Sequence, residues 1–493
     1  MKIRYDLRRN CLILIILILG LFLRLYKAQE LFLYGHDHDL AGWFVRDVVE
    51  NMHFRLIGQE TSTQGIFIGP VYYYLLVPFY LLSGMDPIGG VILVTFLGLI
   101  SIWSVYWIFS KIFDKNTGLI GAFIYATSFY LVFNDREVVP TMPVILWTLW
   151  LLYAIHLLLK RNIGRGLILS GILIGLIWNL NFALILTVPL LVVALLLQGK
   201  KFDKFVIIPG ALTLLGTLLP LLLFEVKHGF IQTKAFFVAL TTPQRDIFSG
   251  SEKLQRVIHL ASKNISGFLW GDVGINYTWA AITILLIFLF LTIKKIIKRE
   301  WIILFSLWII TYVVFFSLYS KAVSEYYLNG ITVIWITLLS LFLSYLFSLK
   351  KYKILGIICL SIFLISNVYR ILSVHVNKSG YVYRKELVKE IKADARLHSY
   401  PCVAVSYITN PGYDLGYRYF FYLENMHVNK PNSGSPVYTI VFPLNENLFP
   451  AGKTFGALGL IYPDYGKYDG GQVTISCSGA NSNLTDPMFG FTK

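Results

Sequence analysis

The stretch Gly35-His36-Asp37-His38-Asp39 follows the first apolar segment of the chain, and Gly65-Ile66-Phe67-Ile68-Gly69-Pro70-Val71-Tyr72-Tyr73-Tyr74 leads into the next. Only 27 of the 493 residues are Asp or Glu, and here two of them stand two positions apart at the edge of an apolar run. A carboxylate at a membrane boundary is costly unless solvated or paired, so it marks function by default. Two this close repel, which raises the pKa of one and suits it to accepting a proton. The plainer alternative is a solvated loop capping a helix that begins near Leu40, with Asp39 as N-cap. His36 and His38 add His-x-His spacing, a weak metal signal on its own.

Outward from this loop, the composition sets the class. The chain is 56% hydrophobic and 14% charged, against about 25% charged in soluble proteins, so it is a polytopic membrane protein. Its net charge of +16 does not point to nucleic acid. The basic residues form short clusters between apolar runs, as the positive-inside rule requires.

Lys2, Arg4, Arg8 and Arg9 precede the apolar run from Cys11 to Leu23. Small residues are lacking at both positions of an Ala-x-Ala-like cleavage site, so this reads as an uncleaved first spanning helix with a cytoplasmic N-terminus. Further apolar runs fall near 71–82, 88–109, 118–133, 141–159, 167–180, 183–198, 205–224, 277–293, 301–319, 327–348 and 354–371. The 71–82 run is shorter than the ~20 residues a span needs and reads as re-entrant or as packing beside 88–109. Asn179 and Asn181 divide a long apolar stretch, giving either two short helices with outer amides or one buried hairpin joined by Asn.

With about eleven spans, five basic clusters share the side of the N-terminus. They are Lys111/Lys115, Lys160/Arg161/Arg165, Lys200/Lys201/Lys204, Lys294/Lys295/Lys298/Arg299 and Lys350/Lys351/Lys353. One missed helix would flip every later loop. The opposite, extracytoplasmic face then receives loop 29–70, residues 134–140, loop 225–276 and everything after about 371.

Residues 252–265 carry Glu252, Leu254, Val257, Ile258 and Ala261 at helical spacing, which suits an interfacial helix or a plain connecting one. Composition shifts near 376. Lys385 to Arg396 reads as an amphipathic helix, while 403–408 and 437–442 read as strands, with weaker candidates at 456–461 and 473–477. The expected architecture is an all-α polytopic membrane domain (1–375) and a small α/β extracytoplasmic domain (376–493). Cys402 and Cys477 suit a disulfide if that domain faces an oxidising compartment. Cys11 and Cys359 lie in apolar runs as packing residues.

Other polar groups share the outer face. Asp135, Arg136 and Glu137 form a second polar knot, in which Arg136 either pairs with a neighbouring carboxylate or clamps a phosphate. Glu225, Lys227 and His228 end a helix on this side. Lys321, Glu325, Tyr326 and Tyr327 lie between two later helices, as lipid-phosphate contacts or as an aromatic belt with a snorkelling lysine.

Taken together, the acidic pair, Leu56-Ile57-Gly58-Gln59-Glu60-Thr61-Ser62, the Gly65–Leu75 motif with Tyr72, Asp135-Arg136, Phe224-Glu225-Val226-Lys227-His228 and Tyr326-Tyr327-Leu328 resemble a known superfamily, as do Gly416–Tyr419 and Tyr438–Pro443. It is the GT-C-fold, polyprenyl-phosphate-sugar-dependent glycosyltransferases of bacterial type, which include protein O-mannosyltransferases and aminoarabinose transferases of lipid A. The resemblance implies a multi-pass plasma-membrane enzyme. It would move a sugar from a lipid-phosphate donor to a lipid, glycan or protein acceptor, with inversion. It places the general base at Asp37 or Asp39, Asp37 favoured, and a second catalytic acid at Asp135. Arg136, Lys227, His228 and Lys321 would hold the donor phosphate. No cofactor is expected to be required, although a divalent cation fits the chemistry. MIR repeats, the acceptor-binding modules of eukaryotic relatives, are lacking. The rivals are a lipid-linked oligosaccharide flippase, which calls for charge near the membrane midplane, and an oligosaccharide ligase.

Overall fold

The computed structural model describes residues 2–61, 63–199, 204–242, 248, 250–271, 276–444 and 449–484, with backbone alone at 2–8, 204 and 240. Ser62 of the loop motif and Lys200 and Lys201 of the third basic cluster lie outside the described residues.

The chain is a helical bundle that ends in a small sheet. Its helices begin with α1 (Lys2–Leu25), α2 (His36–Glu50), α3 (Val71–Leu82), α4 (Ile88–Ile112), α5 (Lys115–Thr127) and α6 (Phe129–Asn134). Next come α7 (Val144–Leu159), α8 (Ile163–Leu180), α9 (Val188–Leu197), α10 (Ile207–Lys227), α11 (Ile231–Thr241) and α12 (Gly250–Trp270). The bundle closes with α13 (Tyr277–Ile293), α14 (Arg299–Leu318), α15 (Thr332–Ser348) and α16 (Lys353–Leu372). Among the described residues, 6 helices are long and apolar enough to cross a membrane. Many of their apolar side chains face outward, among them Leu212, Ile310 and Ile365. A lipid bath accepts such side chains, and water does not.

The short α3 packs along α4 and also against α2. The break at Asn179–Asn181 is real, but the amides are buried. Asn179 Oδ1 accepts from Val71 N–H at 3.2 Å, and Asn181 Oδ1 accepts from Ala183 N–H at 2.9 Å, starting the next turn. Helix α12 is longer than its apolar spacing implied. Val257, Leu260, Ile265 and Phe268 enter the bundle core, while Leu254 and Ile258 are exposed.

Beyond the bundle, α17 (Tyr381–Leu397), α18 (Arg418–Leu423) and α19 (Gly470–Ser476) accompany β1 (Val403–Thr409), β2 (Val428–Asn429), β3 (Val437–Phe442), β4 (Lys453–Phe455) and β5 (Leu458–Ile461). The sheet order is β2-β1-β3-β5-β4. Strand β1 runs parallel to β2 and β3, and β5 pairs antiparallel with β3 and β4. The 473–477 strand candidate is corrected to α19. Asp469 accepts from Gly471 and Gln472 N–H and caps a helix there, overriding the β-branched content of Val-Thr-Ile. Cys402 and Cys477 form a disulfide that ties β1 to α19.

One buried cluster runs from Phe32, Trp43, Phe44 and Tyr73 through Tyr381 and Tyr419 to Tyr438 and Leu460.

Candidate active site

Gly35 sets the geometry of the acidic loop. Its extended backbone (φ −153, ψ −157) caps α2, and its N–H donates to His38 Nδ1 at 3.1 Å. The helix therefore starts at His36, four residues before Leu40, and the N-cap is Gly35 rather than Asp39. Within a helix, two residues span about 200° of rotation, so Asp37 and Asp39 point in opposite directions. Asp37 is exposed and has no hydrogen-bond partner among the described residues. Asp39 is 2% exposed. It accepts from Tyr419 N–H (2.9 Å), Tyr34 O–H (3.3 Å) and Trp43 Nε1–H (3.3 Å). Burial pushes the Asp39 carboxyl up to about 6 against those bonds, and burial holds His38 down at about 4. The two acids therefore have different surroundings, Asp37 exposed and Asp39 buried.

The Gly65–Tyr74 motif is a docking strip on α8. Gly69 N–H donates to Trp178 O at 3.0 Å. Trp178 Nε1–H donates to Phe67 O at 3.0 Å, and Phe67 N–H donates to Gln232 Oε1 at 2.7 Å. A Cβ on Gly69 would sit 2.0 Å from Asn179 Oδ1, so only glycine allows this approach. The strip delivers α3 beneath α2, with the Phe44 ring on Tyr73 and Tyr74. Tyr73 lies within the electrostatic reach of Asp37, and Tyr72 within that of Glu137. Tyr72 is buried, and its hydroxyl has no partner among the described residues.

The second knot comes apart in the same way. Asp135 is fully buried and paired to Arg24, which is also fully buried, at the end of α1. Arg24 Nη2 and Nε reach Asp135 Oδ2 at 2.6 and 3.0 Å, and Tyr125 O–H reaches Oδ1 at 3.1 Å. Gly98 makes the room, since a Cβ there would lie 2.5 Å from Arg24 Nε. In this geometry Asp135 is held in a fully buried ion pair rather than at an exposed surface. Arg136 pairs with neither neighbouring carboxylate. Its Nη2 donates to the carbonyls of Leu23 and Tyr26, while Nε and Nη1 have no partner among the described residues. Glu137 has no side-chain partner among the described residues either, and burial raises its pKa.

Arg136, Glu137 and His38 line one pocket of about 160 Å³ with Phe32, Phe133, His375 and Asn377. It lies where the α1–α2 loop, the turn after α6 and the segment after α16 meet. Its lining includes one guanidinium residue, one carboxylate residue and aromatic walls. Asp37 does not line it, but is the residue next to His38.

The other expected contacts scatter. Glu225 is spent on the start of α11, accepting from Gln232 N–H (3.1 Å), Thr233 N–H (2.9 Å) and Thr233 O–H (2.5 Å). His228 stacks on Phe224. Lys227 is exposed and Lys321 half-buried, without ion-pair partners among the described residues. Tyr327 stacks on Phe316 and Tyr326 sits edge-on to Tyr327, while Glu325 pairs with Lys263. Sequence reasoning missed Arg24, His375 and Asn377. A lone arginine near the end of an apolar helix was the available signal for Arg24. Among the described residues, no three His, Cys, Asp or Glu side chains converge as a metal-binding group.

Residues 68–224 match the family profile of dolichyl-phosphate-mannose-protein mannosyltransferase. The whole fold is similar to ArnT from Cupriavidus metallidurans bound to undecaprenyl phosphate, with TM-score 0.58 and 11% identity over 95% of this chain and 100% of that one. The apo state of the same protein gives 0.60 and 10% over 95% and 99%. The Archaeoglobus fulgidus oligosaccharyltransferase, in complex with Zn and sulfate, gives 0.52 and 13% over 87% and 67%. Identity this low speaks to fold alone. No curated protein matches in sequence.

Proposed function

From a chain that has the GT-C fold of lipid-dependent glycosyltransferases, we propose an integral membrane enzyme that moves a sugar from a polyprenyl-phosphate donor to an acceptor at the extracytoplasmic face. The observation that carries this reading is the sorting of the acidic residues. Asp39 and Asp135 are buried in hydrogen bonds and an ion pair, while Asp37 and Glu137 have no side-chain hydrogen-bond or ion-pair partner among the described residues. The solved relative's undecaprenyl phosphate suggests the donor class.

In the proposed step, the acceptor O–H gives its proton to the Asp37 carboxylate. The acceptor oxygen bonds to the anomeric carbon as the carbon–oxygen bond to phosphate breaks. The electron pair leaves on polyprenyl phosphate, and attack from the opposite side inverts the anomeric centre. Arg136 would hold the departing charge through Nε and Nη1, where a buried cation acts most strongly. Glu137 would accept from a sugar hydroxyl.

The test is release of free polyprenyl phosphate from a panel of polyprenyl-phosphate sugars by purified protein. Loss of a general base costs about 10²–10⁴-fold, so Asp37→Asn should fall by that factor while still binding donor. Undiminished release by Asp37→Asn removes the base assignment. Transport in liposomes without release from any donor turns the reading to a flippase.

A further inference from the structure

We propose that the C-terminal domain sets the position of α2, and that Asp39 and Gly42 are positioning residues for Asp37. The inference rests on the reading of Asp37 as the base.

Helix α2 has two unlike faces. Ala41, Phe44, Val45 and Val48 are buried, and Phe44 rests on the α3 rings. Such apolar contact is non-directional; polar ties on this side lie towards the far end of α2, where Asp47 pairs with Arg55 and Tyr74 O–H donates to Arg55 O, so the turns that carry Asp37 are left able to roll. The opposite face carries Asp39, Gly42, Trp43, Arg46 and Glu50, and each meets α18. Asp39 takes the Tyr419 N–H. Trp43 packs on Tyr419 and Tyr422, and Arg46 lies over the Tyr422 ring at 4.8 Å. The Tyr422 hydroxyl donates to Glu50. Two directional bonds some 16 Å apart along the helix suppress both rolling and sliding. Between them, a Cβ on Gly42 would lie 2.7–2.8 Å from three Tyr419 ring carbons, so α18 is seated on the helix with no slack.

The clamp is itself referenced to the bundle. Tyr419 O–H donates to Met85 O at 2.8 Å, and Tyr381 O–H and Lys385 Nζ both bind Asp86 in the α3–α4 turn. Arg384 holds the carbonyls of Leu415 and Gly416 just ahead of α18. The domain thus gauges α2 against α3 and α4, and Asp37 projects from the face turned away from it.

The experiment is steady-state kinetics of Gly42→Ala in the full chain. The added methyl must displace Tyr419 or α2. A displacement near 1 Å costs about 100-fold in rate, so kcat should fall by that order with donor KM unchanged. Adding Tyr419→Leu, which removes the ring that is struck, should restore turnover. Asp39→Asn covers the case in which Gly42→Ala does not fold. It keeps the shape and the acceptor for Tyr419 N–H but loses one to Trp43, and it should lower kcat without moving KM. Wild-type kcat in both folded single variants overturns the proposal, as does a Gly42→Ala loss that Tyr419→Leu leaves untouched. Asp37→Asn is run alongside. If it stays active, the base reading fails; if it is inactive while Gly42→Ala is normal, the positioning inference fails alone.

Discussion

Neutralising Asp135 separates a structural carboxylate from a catalytic one. In Asp135→Asn the Arg24 guanidinium keeps its charge at 0% exposure. Its remaining acceptors are all neutral: the amide oxygen introduced at position 135 and the carbonyls Gly20 O at 3.1 Å and Ala126 O at 3.5 Å. Removing one member of a buried ion pair costs about 3–5 kcal/mol, because the other charge is left uncompensated. Unfolding entropy is roughly 2.1 cal/mol/K per residue. If all 493 residues unfold as one unit, this is about 4 °C of midpoint. Combining Arg24→Met with Asp135→Asn removes both charges and should recover more than half of the loss. The assay is thermal unfolding of detergent-solubilised protein beside donor turnover, each normalised to folded protein. The double variant should keep near-wild-type kcat, against the ~10²–10⁴-fold loss of an acid–base group. A single variant as stable as wild type but inactive, or a double variant no more stable than the single, would refute the reasoning.

The pH dependence should show two opposed titrations in neighbouring residues. Asp39 is raised from 3.8 to about 6, so its contribution to stability is greatest below its unfolded pKa and is lost as pH rises towards 6. His38 is lowered from 6.5 to about 4, so its contribution is present above 6.5 and is lost as pH falls towards 4. Each is on the order of 3 kcal/mol, so they nearly cancel between pH 4 and 6. Over that range, relative to wild type, Asp39→Asn should gain stability with rising pH and His38→Asn should lose it, read from unfolding midpoints; parallel profiles would contradict both assignments. The Cys402–Cys477 bond spans 75 residues, which corresponds to about 4–5 kcal/mol of loop-closure entropy. Cys402→Ser with Cys477→Ser should therefore make the C-terminal domain sensitive to limited proteolysis well below the wild-type midpoint, while an unchanged cleavage temperature would count against it.

The bundle was legible because apolar runs carry their meaning locally. So was the sheet domain, whose β1 and β3 fall on the two strongest β-branched runs. The sorting of the carboxylates was not legible, since it depends on partners far away in sequence. Asp135 reads as an external acid until Arg24 is seen 111 positions earlier. The phase of α2 was missed because the cap is Gly35, whose conformation signals a helix start more weakly than an aspartate would. In α12 the buried stripe runs through Ser262, Asn264 and Ser266 as well as Val257 and Phe268. A core that accepts small polar side chains hides from apolar periodicity.

The bond between Asp39 and Tyr419 joins residues 380 positions apart, and that distance is also a delay. At ribosomal rates of roughly 5–20 residues per second, α2 emerges about 20–75 s before the segment that covers it. For that interval Trp43 and Gly42 have no α18 to meet, and α2 waits beside α3 on the apolar contact of Phe44 and the Asp47–Arg55 pair. The seat of α2 is therefore completed by a later-made segment, and a chain stopped short of Arg418 carries its acidic loop without the α18 contacts.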